Sequence, residues 1–471
     1  MNRSSLPPQK LEADAFYAIV GLGATGLSCA RFLAAKGASF VLLDSRQQPP
    51  NIEQALREFE GVDILLGELS AAVLLSADYL IVSPGVALTE TAIALALEGN
   101  VELLSDLDLF CASTTAPLVC ITGSNGKSTV ATLLHKMAQD CGVASVLCGN
   151  IGLPVLQALS DQAELYVVEV SSFQLERSRP LTSVASTVLN VSADHMDRYV
   201  DFESYQAAKL RVYLASQVCV YNRDDKFTFP ASSQNNISFG ASPTATSVST
   251  ASTFAAANDE FGVADVDGTS WLYARSSALI ATKLIRIKGS HNIQNSLAAL
   301  ALAEAANLDL SICCETLKTF SGLEHRCEFV DTLQGIEFIN DSKGTNTGAT
   351  LAAIKGLGGV GTKNIVLIAG GVGKGADFTV LRDAVDSSVT AAVVYGEDGS
   401  SIKSALVGLV PIFEVDSLEK AVQRAYEYAR LGDTVLFSPA CASFDMFTSF
   451  EERGDVFKIC VGQLSAKEIG Q

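Results

Sequence analysis

The sequence predicts an α/β protein of three domains, each built on a sheet of mainly parallel strands. Three observations carry this expectation. Two strand–glycine turn–helix signatures occupy residues 16–44 and 118–129. Four short apolar runs toward the C-terminus, at 336–339, 364–368, 391–394 and 434–437, alternate with helical patterns. A chain of 471 residues also exceeds what one hydrophobic core organises. Breaks between these patterns set the expected domains at 1–105, 106–322 and 323–471.

Composition narrows the function. With 48% hydrophobic and 18% charged residues, the chain is expected to be compact and soluble. Its net charge of −19 argues against a nucleic-acid partner or an anionic membrane surface. A small anion held by local lysines and backbone N–H groups remains possible, because those act at short range. The eleven cysteines follow no framework spacing, and no Cys-x-x-Cys pair occurs, as in proteins with reduced, buried thiols. No apolar signal core opens the chain and no run of eighteen apolar residues follows. The expectation is a cytoplasmic monomer.

In the first segment, the apolar strand 16–20 ends in Gly21-Leu-Gly-Ala-Thr-Gly26. A helical pattern follows, with Leu27, Ala30, Leu33 and Ala34 on one face, then the strand 40–43 closed by Asp44. This is the Gly-x-Gly-x-x-Gly fingerprint in its strand–turn–helix–strand setting, and taken alone it points to NAD. Its physical content is broader. The turn and helix N-terminus hold a diphosphate, and Asp44, Ser45 or Arg46 meets a polar group beyond it, so a UDP-sugar fits as well. Packing of helix on strand would by itself account for any one of the glycines. The strand 79–82 then runs into Ser83-Pro-Gly85, placing Ser83 at a strand's carboxyl end, where open α/β sheets bind ligands.

The second segment is organised around Val119-Cys-Ile-Thr-Gly-Ser-Asn-Gly-Lys-Ser-Thr129. An apolar strand breaks at Gly123 and Gly126, and a helix begins near Lys127. Such a loop offers backbone N–H groups and a helix dipole to a phosphate; Lys127 reaches the outer phosphates and Ser128 or Thr129 puts a hydroxyl on Mg²⁺. It is shorter than the general phosphate-loop pattern, since Ile121 stands where that pattern has its first glycine. A chance glycine turn before a lysine is the alternative, and downstream chemistry weighs against it. The turn 148–154 exposes an amide at Asn150, and the apolar strand 166–170 is interrupted by one acid, Glu169, placed to hold Mg²⁺. The strand 184–189 ends in Asn190-Val-Ser-Ala-Asp-His-Met-Asp197, setting His195 between two aspartates. Lys209 lies on a helix over 202–211, and composition alone makes it a solvated helix lysine. Residues 241–258, rich in Ser, Thr and Ala, read as loop or weak hairpin, with a strand at 271–273. Lys288 opens a long Ala/Leu helix running to about 307, on which Asn292 and Asn295 share a face.

In the third segment, polar clusters follow three strands, at 340–346, 370–377 and 438–445. Gathered at one sheet edge, they make a small-molecule pocket whose two lysines, Lys343 and Lys374, suit an anion such as an amino-acid carboxylate.

In order and across nearly the whole chain, these motifs resemble the Mur ligase family of peptidoglycan synthesis. The resemblance is carried by Thr122-Gly-Ser-Asn-Gly-Lys-Ser-Thr129, Glu169, His195, Lys209, His291-Asn292, His325-Arg326 and Asn340-Asp-Ser-Lys343. Further strings are similar to the family's D-glutamate-adding branch: Gly149-Asn-Ile-Gly-Leu-Pro154, Glu169-Val-Ser-Ser-Phe-Gln-Leu175, and Ser438-Pro-Ala-Cys-Ala-Ser-Phe-Asp445 with Phe450 and Arg453-Gly454.

The resemblance implies a Rossmann-like UDP-binding domain, a P-loop ATPase-like central domain with a mainly parallel sheet, and a Rossmann-like C-terminal domain that takes the amino acid. It implies an ATP-dependent amide-bond-forming ligase that adds D-glutamate to UDP-N-acetylmuramoyl-L-alanine through an acyl phosphate, with two Mg²⁺ ions. By the same resemblance, Gly123, Ser124, Asn125, Gly126, Lys127, Ser128 and Thr129 bind ATP, joined by Asn292, Asn295, Arg326 and Asp341. Ser128, Glu169, His195 and Lys209 (as a carbamate) hold metal, and Lys127, Glu169, His195 and Lys209 are the catalytic set. Ala24, Thr25, Ser45, Arg46, Ser83, Asn150 and His195 match the UDP-substrate site. Lys343, Thr345, Lys374, Ser443 and Phe450 match the D-glutamate pocket. Val372, Phe444 and Met446 depart from commoner family residues, which blurs amino-acid recognition, and no residue chemistry here reads D against L. Another family member adding a different amino acid is the nearest competitor, but the Asp-Asn-Pro-Arg-type loop of a diaminopimelate- or lysine-adding relative is absent. A folylpolyglutamate synthase lacks the UDP-binding first domain. An NAD-dependent oxidoreductase leaves Lys127, Glu169 and His195 without a task, and a UDP-sugar-binding protein without catalysis predicts no ATP turnover.

Overall fold

The computed structural model describes residues 14–196, 198–231, 235–241, 260–275, 277–287, 289–358 and 363–469. Asp197, Lys288 and almost all of the 241–258 stretch lie outside the described residues. Three sheets stand in chain order, and the expected three-domain α/β architecture is what the chain adopts. The first is wholly parallel, in the order Ile64–Leu66, Ser39–Asp44, Phe16–Val20, Tyr79–Val82, Glu102–Leu104. The second has nine strands; its parallel part places Leu118–Thr122 between Ala185–Val188 and Leu165–Glu169, and its far edge ends in the antiparallel strands Thr269–Ala274 and Ser277–Ala281. The third has six, with Thr434–Phe437 between Ile336–Asn340 and Ile365–Gly370.

Strands buried on both faces explain why these runs are continuously apolar and do not alternate. In Phe16–Val20, Tyr17 and Ile19 face one apolar cluster while Ala18 and Val20 face another. The helix Ala24–Ala35 buries Leu27, Cys29, Ala30 and Leu33 as its spacing requires, but Ala34, expected on that face, is exposed in the helix's final turn. The helix Asp106–Ser113 joins the first two domains by burying Leu107, Leu109 and Phe110, and the Phe110 ring meets Tyr166 edge-on at 4.9 Å. One hydrophobic cluster therefore runs unbroken from Tyr17 and Phe40 through Phe110 to Tyr166 and Val168. Among the described residues, the two apolar clusters of the third sheet include nothing from the first two domains. At that second junction Arg326 Nη2 donates to Ser128 Oγ (2.8 Å) and Asn346 Nδ2 to Asp194 Oδ2 (3.2 Å), and the helix Thr347–Leu357 packs against Ser290–Ala305 of the middle domain.

Asp106 is buried at the first junction, with Gln174 and the Leu107 N–H hydrogen-bonded to its carboxylate. Burial outweighs those bonds and raises its pKa from 3.8 to about 6. The unfolded chain therefore loses this proton at lower pH than the folded one. The cost to folding is absent below 3.8 and complete above about 6. Asp106→Asn is expected to gain about 2–3 kcal/mol at pH 8 and almost nothing at pH 4. Melting curves at the two pH values check this, and an equal gain at both would count against it.

Candidate active site

The glycine-rich turn of the first domain is fixed by close packing. A Cβ on Gly26 would fall 1.8 Å from the Gly21 carbonyl oxygen, so only glycine fits. Ser83 Oγ donates to that same carbonyl at 3.0 Å, which ties the two turns into one unit. Asp44 is buried and its carboxylate is fully engaged. It accepts from the Leu22 N–H (2.8 Å), the Arg46 N–H (2.9 Å) and the Arg46 guanidinium (2.8 and 2.9 Å). Burial pushes the Asp44 carboxyl up, but the Arg46 and Leu22 hydrogen bonds prevail and hold it below its ordinary value. An acid so occupied offers no free oxygen to a ribose diol, and the exposed Arg46 beside Ser45 presents positive charge at the mouth. Ala24 and Thr25 open the helix at the same mouth.

In the middle domain, Gly126 stands at φ +85° as the helix Lys127–Asp140 begins. Asn190, at the end of the neighbouring strand, holds the loop by accepting from the Asn125 N–H (2.8 Å) and donating to the Asn125 carbonyl (3.0 Å). Ser124 Oγ donates to the Ser192 carbonyl and lies 3.0 Å from Tyr205 Oη. Lys127 folds back to donate to the carbonyls of Gly123 and Ser124, both at 2.9 Å.

Lys209 corrects the expectation of a solvated helix lysine. It is only 2% exposed, donates to the Gly123 carbonyl at 2.9 Å, and has Nζ 4.4 Å from the centre of the Tyr205 ring. The reason is tertiary: the helix Phe202–Leu210 lies under the loop, so Lys209 points into the site. Burial, then the neighbouring Lys127 charge, depresses its pKa well below normal. Burial lowers Lys127 too. Glu169 ends its strand buried; Oε1 accepts from Asn150 Nδ2 at 2.8 Å, so that amide is not free, while Oε2 is buried with no hydrogen-bond partner. An orphaned carboxylate oxygen is the donor chemistry that suits a hard cation such as Mg²⁺. His195 adopts φ +58°, with a side chain 43% exposed and its ring edge-on to Phe173 at 5.0 Å. Burial lowers its pKa; Asp194 opposes this, and the charges of Lys209, Lys127 and Lys374 add to it.

From the helix Ser290–Ala305, Asn295 Nδ2 donates to Asn292 Oδ1 (3.1 Å), and a Cβ on Gly126 would lie 2.5 Å from Asn295 Oδ1, so this pair abuts the loop. Arg326 is half-buried, and desolvation lowers its pKa. Asp341 accepts from Ser438 Oγ at 2.7 Å and is raised by burial to about 6. Lys343 Nζ stands 3.6 Å from the centre of the Phe450 ring, and burial lowers it to about 8. Thr345 follows in the same loop, Ser443 is buried in the neighbouring one, and Lys374 is exposed at φ +52°. The Ser438–Asp341 bond and the Val372–Ala442 bridge thus bring the three polar loops of the third sheet together. Sequence reasoning missed Asn190, Tyr205, Arg177 and Arg198. Only Asn190 carried a signal, as a polar residue ending the strand beside the phosphate loop's.

Known protein families match the chain domain by domain. Residues 15–105 match the domain described as Mur ligase MurD-like, N-terminal; residues 121–303 match the Mur ligase middle domain; residues 325–441 match the Mur ligase glutamate ligase domain. A UDP-N-acetylmuramoylalanine–D-glutamate ligase of Hahella chejuensis is 45% identical over 448 residues, covering 95% of this chain and 98% of that protein. The chain belongs to the Mur ligase family. Another relative of the same description, from Pseudomonas aeruginosa, is 44% identical over 457 residues, with 97% and 99% covered. The family's fold is shared at much lower identity: MurF from Acinetobacter baumannii superposes with a TM-score of 0.60 at 16% identity, over 95% of this chain and 91% of that one. Among the described residues of this Mur ligase no helix is long and apolar enough to cross a membrane, and all eleven cysteines are free thiols.

Proposed function

We propose that this chain joins D-glutamate to UDP-N-acetylmuramoyl-L-alanine with hydrolysis of ATP to ADP and phosphate. The observation that carries the reading is a pair of lysines, half-buried Lys127 and buried Lys209, converging on the Gly123 carbonyl at 2.9 Å each, with a buried Glu169 oxygen left without a hydrogen-bond partner. Phosphoryl transfer needs charge neutralised at a moving phosphoryl group, not a nucleophilic side chain. The γ-phosphoryl passes to the terminal carboxylate of the UDP-substrate, and ADP leaves. The D-glutamate amine then attacks the acyl carbon, and phosphate departs as the amide forms.

In this reading the loop 123–129 and Lys127 hold the phosphates, with Asn292, Asn295, Arg326 and Asp341 on the nucleotide side. Ala24, Thr25, Ser45, Arg46, Ser83 and Asn150 hold the UDP-substrate, and Asp44, engaged by Arg46 and the Leu22 N–H, leaves no carboxylate oxygen free for the ribose diol by which NAD is held. Lys343, Thr345, Lys374, Ser443 and Phe450 receive D-glutamate. Ser128 and Glu169 would hold one Mg²⁺ and His195 with Lys209 a second, the ions supplying neutralising charge to the phosphates. Two close ammonium groups repel a cation. A Lys209 amine that has taken up CO₂ as a carbamate reverses that sign, and its burial and depressed basicity support the free amine this requires. Domain limits near 105 and 322, a monomer and a cytoplasmic setting belong to the same proposal; the free thiols support the last.

The test is phosphate release from ATP and Mg²⁺ with UDP-N-acetylmuramoyl-L-alanine, comparing D-glutamate, L-glutamate and no amino acid. Release only with D-glutamate is expected. Release with a different amino acid moves the chain within the family, and none under any condition ends the catalytic reading.

A further inference from the structure

Arg177 ends the short helix Ser172–Arg177 of the middle domain and is 5% exposed. Its guanidinium reaches into the first domain. Nη1 donates to the carbonyls of Val82 (3.2 Å) and Ser83, and Nη2 donates to that of Val86. Arg198, stacked over the Phe173 ring at 4.8 Å, adds a longer bond to the Gly85 carbonyl at 3.4 Å. Two arginines of one domain thus hold the carbonyls of a single turn in another.

A buried cation ordinarily takes a carboxylate partner. Arg177 is bonded to carbonyls instead, with Glu176 and Asp106 supplying negative charge at longer range. Burial draws it down to about 10, which leaves it charged at neutral pH. The apolar cluster through Phe110 already closes this junction, so adhesion alone does not account for a desolvated charge here. Its connections do. On one side the held turn contains Ser83, whose hydroxyl bonds Gly21 of the glycine-rich turn. On the other side, the helix of Arg177 is fastened at its start by reciprocal Ser171–Gln174 capping, and it follows directly on the strand that ends in Glu169.

We propose that Arg177 is a positioning residue: by clamping the Val82–Val86 turn it sets the distance between the diphosphate-holding turns of the first domain and the Glu169 end of the transfer site. The inference rests on the UDP-substrate reading given under Proposed function, and the experiment separates the two. Calorimetric titration of the full chain with UDP-N-acetylmuramoyl-L-alanine, and separately with a non-hydrolysable ATP analogue, is run for wild type, Arg177→Met and Arg177→Lys, alongside KM and kcat.

The UDP-substrate Kd and KM are expected to rise at least about tenfold in Arg177→Met and less in Arg177→Lys, with the nucleotide Kd within about twofold of wild type. A merely structural role would weaken both ligands together, and that result overturns the proposal. So does unchanged UDP-substrate binding in either variant. Should Arg177→Met fail to fold, Arg177→Lys carries the test, since it keeps the charge but cannot span three carbonyls. If wild type itself does not bind the UDP-substrate, the functional reading falls and the inference falls with it.

Discussion

Lys127→Ala is expected to lower phosphate release by about 10³-fold or more while the chain stays folded, because one preorganised charge at a phosphoryl group is commonly worth 10²–10⁵ in rate. Folding is expected to survive because two terms oppose one another. The lysine donates to the Gly123 and Ser124 carbonyls, bonds that vanish with it. Its burial is also costly, as the lowered pKa shows, and alanine removes that cost. The loop keeps its other anchors on Asn190 and Ser192. A second readout belongs to the same variant. Lys127 helps hold down the basicity of Lys209, so its removal should move the Lys209 amine upward, visible by NMR of labelled lysine. Activity within tenfold of wild type would mean that phosphate is held elsewhere.

Lys209 is the second position where a large effect is expected, and there the choice of substitution decides between mechanisms. If Lys209 works as a plain cation, Lys209→Arg retains substantial activity, since arginine stays charged in any protein site. If it works as a carbamate, arginine is as damaging as alanine, because a guanidinium does not take up CO₂ in its place. Both variants are expected to fall by about 10²-fold or more, consistent with loss of a group acting on transition-state charge. Wild type alone should lose activity in CO₂-depleted buffer and regain it with bicarbonate. Robust turnover by Lys209→Arg would remove the carbamate from the scheme.

The two glycine turns were legible because strand, turn and helix are local, and their spacing is set by backbone geometry within about thirty residues. Glu169 was legible for a related reason: a single acid within an apolar strand has to answer to something buried. The meeting of the third sheet's polar loops could be read because each follows a strand, and parallel strands bring their carboxyl ends to one edge. Lys209 was not legible from residue chemistry. A helix lysine is buried or solvated according to what lies over the helix, and here that is a loop 86 residues away. Arg177 was less legible still. Its partners are carbonyls of a turn up to 95 residues distant, and every residue type has a carbonyl, so no complementary side chain marks the contact. The Asp44–Arg46 pair shows the limit from the other side. The fingerprint was complete, yet the acid that gives it its usual meaning is engaged by a neighbour two residues on.

The hydrophobic cluster that passes through Phe110 also bears on how the molecule comes apart. Where apolar side chains from two sheets interlock without a seam, neither sheet can open alone without exposing the other's interior. The unit of cooperative unfolding is then the first two domains together. The third keeps apolar clusters of its own, so it is expected to open more independently than the first two, and the thermodynamic boundaries of this chain are then fewer than its architectural ones.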